Sequence, residues 1–176
     1  MADSIRDLLE MSLQDTYSAE TQILDALPKM QEAASSPKLK QAFQEHLEVT
    51  QRQVERLEQV CQQLGMEPGG ETCEAMEGLV EEGEELMEEL EQGPVLDAAL
   101  IGAAQKVEHY EMAAYGTLTA MLKAMGEAKC ADLMAQTLKE EKDTDELLTE
   151  IAEGEVNPAA MQQMPANDQS ASRGVA

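Results

Sequence analysis

Apolar residues recur at three- and four-residue steps along most of the chain, and that period limits its fold more than any other feature. Leu9, Leu13, Tyr17, Ile23, Leu24, Leu27 and Met30 make the first stripe. Such spacing puts side chains on one face of a helix, whereas a strand needs alternation. Ser4 is placed to cap this segment, which runs to about Ala34, and Pro28 is expected to kink it or end it early. Ser35-Ser36-Pro37 reads as a turn, with Ser36 capping and Pro37 in the first helical position. A second stripe follows through Leu39, Phe43, His46, Thr50, Gln53, Leu57, Val60 and Leu64, and Gly65, Pro68, Gly69 and Gly70 close it. With one Phe, three Tyr and no Trp, the core must be built from Leu, Met, Ala and Val. Strand-favouring residues are scarce beside good helix formers, so the expected class is all-α.

Residues 72–92 form a third, strongly acidic helical segment, closed by Gly93-Pro94. A fourth helix is expected from about Val95 to Met125, and a fifth from about Glu127 to Glu153. The first two helices make one hairpin and the last two another. A gapless shift of 91 residues sets Glu20 on Glu111, Leu27 on Leu118, Phe43 on Met134 and Leu57 on Leu148. Two related hairpins would form an antiparallel four-helix bundle, with the third helix as an additional crossover. Residues 1–155 are expected to be that single domain. The sequence then turns to Asn, Pro, Gln, Ser and Gly, so 156–176 is expected to be a disordered tail.

The chain carries 36 acidic residues against 12 basic ones, a formal net charge of −24. Phosphate backbones and anionic lipids would be repelled, so nucleic acid and membrane are not expected as partners, whereas cations are. Cys61, Cys73 and Cys130 form no CxxC pair, and the opening MADSIRDLLEM is too polar for an export signal. Reduced, small buried cysteines and a cytoplasmic location are therefore expected. The acidic run from Glu81 to Glu91 reads as a solvated face.

Polar residues on the inward stripes carry the chemistry. Glu20 lies in register with Tyr17, Ile23 and Leu24; Glu108 and Glu111 with Ala104, Tyr115 and Leu118; Glu141 with Thr137, Thr144 and Leu148. His46, Thr50 and Gln53 share the stripe of the second helix. A buried carboxylate costs several kcal/mol unless it is protonated, hydrogen-bonded or bound to a cation. Glu20 precedes Ser36 by 16 residues and Gln53 follows it by 17, which sets them at one level; the same count sets Glu111 level with Glu141. Carboxylate-bridged iron or manganese pairs take one Glu from each of two helices and a Glu-x-x-His from each of the other two. Here those two helices offer Thr50-x-x-Gln53 and Glu141-x-x-Thr144 instead. Three readings stay open: a two-metal centre built from Glu20, His46, Glu108, Glu111 and Glu141, a single or degenerate site, or protonated and hydrogen-bonded carboxyls. Tyr17 and Tyr110 are near enough in register to donate to them, and His109 falls off the inward face.

The stretches DTYSAETQILDALPKM, FQEHLEVTQRQVERL, CEAMEGLVEEG, VEHYEMAAYGTL and LKEEKDTDELL resemble the YciF/YciE stress-protein family, a branch of the ferritin-like superfamily. The resemblance spans roughly residues 3–155. It implies a ferritin-like antiparallel bundle, usually a homodimer, in stressed bacteria, and it marks Tyr17, Glu20, His46, Glu48, Glu108, His109, Tyr110, Glu111, Glu140, Glu141, Thr144 and Asp145 as family-like positions. Where relatives often carry HLEET this chain has HLEVT, so Val49 replaces an acid. A homodimer is also suggested by Leu79, Val80, Leu86, Met87 and Leu90 on the crossover helix, unless these cover the bundle's own side. Two functions follow: a redox metalloprotein acting on peroxide, oxygen or ferrous iron, or a non-catalytic stress protein with a degenerate site. Nothing in the sequence indicates a storage cage, and no nucleophile arrangement indicates a hydrolase.

Overall fold

A computed structural model of the chain describes residues 3–163, which contain helices and no strand. Five main helices follow in order: α1 Ile5–Ala33, α2 Pro37–Leu64, α3 Glu74–Glu89, α4 Pro94–Ala124 and α5 Ala128–Ile151. A π-helical turn, Ala152–Val156, then leads into the short α6, Asn157–Met161. Helix ends follow local chemistry. Ser4 and Asp7 form a reciprocal capping box on α1, and the Ser36 hydroxyl accepts from the Leu39 amide at the start of α2. Gly65 ends α2 at φ +67°, a left-handed conformation that costs glycine least.

Hairpin α1–α2 packs on hairpin α4–α5 through α1 against α4 and α2 against α5, while α3 crosses over α1 and α4. This is the expected bundle with its crossover helix. Leu79, Val80, Leu86 and Met87 of α3, with Leu90 at its C-cap, pack down onto the core, so that helix covers its own bundle.

Two expectations are corrected. Helix α1 runs through Pro28 without ending, because Pro28 is exposed while Leu27 and Met30 beside it are buried and hold the helix to its neighbours. Residues 156–161, expected to belong to a disordered tail, are helical. Val156 is buried, and Glu155 accepts from the Ser36 hydroxyl (2.7 Å) and pairs with Lys38 (3.1 Å). The remainder of that expected tail, from residue 164, lies outside the described residues.

The interior is divided into two apolar cores. One joins Ile23 and Leu27 of α1, Leu39 and Phe43 of α2, Met76 of α3, Leu96 and Leu100 of α4, and Leu148 and Ile151 of α5. The other joins Leu9 and Leu13, Leu57 and Val60, Leu118 and Leu122, and Met134. Since the helices are antiparallel, the two cores occupy opposite ends of the bundle, and mid-helix residues fall between them.

The α1–α2 turn is held by a side chain from the other hairpin. Buried Asp97, in the first turn of α4, accepts from the Ser35 amide (2.6 Å), the Ser35 hydroxyl (2.6 Å) and the Ser36 amide (2.9 Å). Asp97→Ala would leave two turn amides without partners and is expected to lower stability by about 2–4 kcal/mol in urea unfolding. A loss under about 1 kcal/mol would mean that water replaces the carboxylate.

Candidate metal centre

Between the two cores, all four bundle helices present polar side chains inward. Glu20 comes from α1; His46, Thr50 and Gln53 from α2; Glu108 and Glu111 from α4; Thr137 and Glu141 from α5. The four glutamates are at most 1% exposed. One ligand atom from each of His46, Glu108, Glu111 and Glu141 lies within 4.8 Å of all the others. The His46 ring sits 3.2 Å from Glu108 through Nε2, without the alignment of a hydrogen bond, and 3.5 Å from the Thr144 hydroxyl through Nδ1.

Glu20 stands just outside that foursome. Tyr115 donates to its Oε1, and the Glu111 carboxyl lies beside it. Glu108 and Glu141 make a second such carboxyl pair. Gln53 donates to Glu141 and, at 3.2 Å, to Glu140. Arg56 grips Glu140 with both terminal nitrogens (2.9 and 3.1 Å) and donates to Thr137. The nearest cation is thus matched by Glu140 at the edge, leaving the central carboxyls without a basic partner.

The hydrogen-bond balance marks this place out. Nine buried side-chain polar atoms among the described residues lack a partner, and eight of them belong to Glu20, His46, Thr50, Gln53, Glu108, Glu111 and Glu141; the ninth is the Thr119 hydroxyl. Buried polar atoms rarely go unpaired.

Proton affinities follow from this crowding. Burial, set against the hydrogen bond from Tyr115 and the neighbouring Glu111 carboxyl, holds Glu20 up at about 7, and burial holds Glu108 up at about 8. Glu111 and Glu141 are raised well above the ordinary range, first by burial and then by neighbouring charge, that of Glu141 foremost at Glu111 and that of Glu108 at Glu141. Burial also depresses His46 to about 4, so its ring is neutral near pH 7 and free to act as a ligand.

All five residues singled out from the sequence, Glu20, His46, Glu108, Glu111 and Glu141, are drawn to this centre. Tyr17 and Tyr110 are not: they donate to Glu58 (3.1 Å) and Asp15 (2.5 Å). Tyr115, placed on the stripe as an apolar residue, takes that part. His109 is exposed, 3.5 Å from Asp145, and Glu48 is exposed as well. Arg56 went unnoticed in the sequence, although it lies one turn beyond Gln53 on the same stripe.

A four-helix bundle with a crossover helix and a mid-height layer of inward glutamates has the architecture of ferritin-like proteins. A two-domain protein of Anabaena variabilis that contains a ferritin-like domain shares this fold, with a TM-score of 0.61, 19% identity, and coverage of 93% of this chain and 41% of that one. More specifically, the chain belongs to the family described as Domain of unknown function (DUF892), whose model matches residues 4–161. It is 49% identical over 158 residues to Protein YciF of Escherichia coli (strain K12), covering 89% of this chain and 95% of that protein. The crystal structure of the E. coli stress protein YciF superposes with a TM-score of 0.85 at 48% identity, covering 89% and 99% of the two chains. YcfI from Rhodopseudomonas palustris superposes with a TM-score of 0.81 at 44% identity, covering 84% and 94%.

These proton affinities make stability depend on pH. Above pH 4.5 the folded, metal-free protein keeps protons that the unfolded chain gives up, so stability falls as pH rises through the folded values near 7 and 8. His46 acts in the opposite sense only between about 4 and 6.5; above 6.5 it is neutral in both states. From pH 6.5 to 8.5 the metal-free protein is expected to lose about 2 kcal/mol or more in urea unfolding. Glu108→Gln should flatten that slope, and a flat profile in the unsubstituted protein would mean the centre stays ionised throughout.

Proposed function

We propose that this chain is a stress-associated, cytoplasmic, ferritin-like metalloprotein that holds iron or manganese among His46, Glu108, Glu111 and Glu141. The observation that carries this reading is the concentration of unpartnered buried atoms in one layer: seven of those eight are oxygens and the other is a neutral imidazole nitrogen. That donor set suits iron or manganese, which accept carboxylate and imidazole ligands together. The free oxygens of Glu20 and Glu111 leave room in this reading for a second ion, as in carboxylate-bridged pairs. Bound here, such metals would supply one-electron chemistry toward peroxide, oxygen or ferrous iron.

An entry route supports the reading. Between α2 and α5 an opening of about 230 Å³ reaches His46 and Thr144 past Glu45, Glu140 and Asp143. Its acidic rim favours cations over anions. Val49 lines the same opening, at the position where an acid is missing from this chain.

Elemental analysis of protein purified without chelator from cells given iron and manganese tests the reading. We expect one or two ions per chain, none in Glu111→Gln, and no more than one in Glu20→Gln. Glu111→Gln should also raise the unfolding temperature of metal-free protein at pH 8, since it removes a buried acid that its neighbours oppose. Metal-free protein after supplementation would sink the proposal. It would leave the second reading, a non-catalytic stress protein, which the substitution of Glu-x-x-His by Thr50-x-x-Gln53 and Glu141-x-x-Thr144 favours.

We also propose that the chain forms a homodimer, through α1 and α4 instead of α3. Ile5, Leu8 and Met11 are about half exposed on α1, beside a shallow groove floored by Ala113, Ala114 and Thr117 of α4. Exposed apolar clusters of this kind mark association surfaces. Met11→Glu is expected to turn a sedimenting dimer into a monomer; a monomer before substitution would refute the dimer altogether.

A further inference from the structure

Under the crossover helix lies a cavity of about 30 Å³, bounded mainly by α1, α3 and α4. Ile23, Leu27, Val80, Met87, Ala103 and Val107 wall it, and its surface is almost wholly apolar. Its inner end is formed by His46 and Glu108, on the side of the carboxylate layer away from the acidic opening between α2 and α5. Its outer end carries Lys29 and Glu84, which pair at 2.5 Å across α1 and α3 and are each about half exposed.

The size and lining of this space select its occupant. A single water needs about 10–15 Å³ and two to four polar partners, and apolar cavities stay dry while taking up apolar guests. The walls here offer room for more than one water-sized atom and almost nothing for water to bond. Gly83 of α3 lies in the roof, buried, where alanine would favour the helix. A Cβ there would come no nearer than 3.9 Å to the Ala103 methyl, an ordinary contact. Helix packing therefore does not require glycine; the missing side chain leaves open space above the cavity.

We propose that this cavity is a binding site for dioxygen, holding it at the His46–Glu108 edge of the centre, with α3 as its roof and the Lys29–Glu84 pair at its mouth. Its use there rests on the metal reading above, but binding itself needs no metal. Cations and the apolar gas would then reach the layer from opposite faces, each by a path that disfavours the other.

Methyl-labelled, metal-free, full-length protein equilibrated with dioxygen under pressure tests this directly. Methyl resonances of Ile23, Leu27, Val80 and Val107 should show paramagnetic shifts several-fold larger than those of Leu57, Leu118 and Leu122 in the other core. Gly83→Leu should bring them down to the level of the other core. Gly83→Ala, which the geometry accommodates, should reduce them in part and serves if the larger residue disturbs folding. Equal shifts in both cores, or shifts unchanged in a folded Gly83→Leu, would overturn the proposal while leaving metal binding intact. Selective shifts in a protein that takes up no metal would support the cavity as a dioxygen site and sink only the metal reading.

Discussion

Four carboxyl groups held out of water at mid-bundle are the constraint around which the rest of the molecule is arranged. A buried carboxylate pair with no basic partner is among the least favourable things a helical core can contain. The fold tolerates the layer because it is flanked at both ends by dry, well-packed cores of Leu, Met, Ile and Phe, which anchor the helices independently. Tyr115 and Gln53 then relieve part of the cost with one hydrogen bond each, to Glu20 and Glu141. Arg56 is positioned to add charge balance at the edge, yet Glu140 absorbs it in a two-pronged pair. Replacing the layer with apolar residues would be simple for a bundle of this kind. That it stands without basic partners, against the other pressures on the core, makes it a candidate place for a ligand.

How much of this can be read from the sequence depends on the range of the interaction involved. The helices, their caps and the inward placing of Glu20, His46, Glu108, Glu111 and Glu141 are local facts, set by a period of 3.6 residues and by distance from a turn. Which tyrosine meets the layer is not local. Tyr17, Tyr110 and Tyr115 all lie within a turn of a key glutamate, but only Tyr115 faces the interior squarely; the other two lie toward the seams between helices and find Glu58 and Asp15 there. Asp97 and Glu155 are likewise ordinary acids in sequence. Their worth appears only when α4 and the π-helical turn are brought against Ser35 and Ser36, about 60 and 120 residues away in the chain. That Pro28 does not end α1 has a related reason: the rule for proline is local, whereas the packing of Leu27 and Met30 that carries the helix past it is tertiary.

The 91-residue correspondence between the hairpins shows where the centre departs from symmetry. Glu20 and Glu111 are equivalent under that shift and face each other in one carboxyl pair. Glu141, by contrast, is equivalent to Thr50, so the second helix of the first hairpin carries a hydroxyl where its counterpart carries an acid. His46 and Glu108, each one turn from those positions, add candidate ligands that the shift does not predict, and they meet each other at 3.2 Å. The centre is therefore displaced from the two-fold arrangement toward α4 and α5. His46 is also where the acidic opening and the apolar cavity both arrive.

Charge counting limits what the layer can hold. With His46 neutral, the four glutamates carry −4 when ionised, a charge that Arg56, itself paired with Glu140, offsets only in part. Two divalent ions would neutralise it completely. One divalent ion would leave −2, and two protons shared within the Glu20–Glu111 and Glu108–Glu141 pairs would remove that remainder. With no metal, neutrality demands a proton on every carboxyl, which is the direction in which burial already pushes all four. Each divalent ion bound there would therefore expel about two protons, so cation uptake would be tied to pH by the same groups that set stability. A centre with these proton affinities would exchange protons for divalent ions most readily just above neutrality, where the stronger two of its acids, Glu20 and Glu108, are ready to ionise and the imidazole has long since lost its proton.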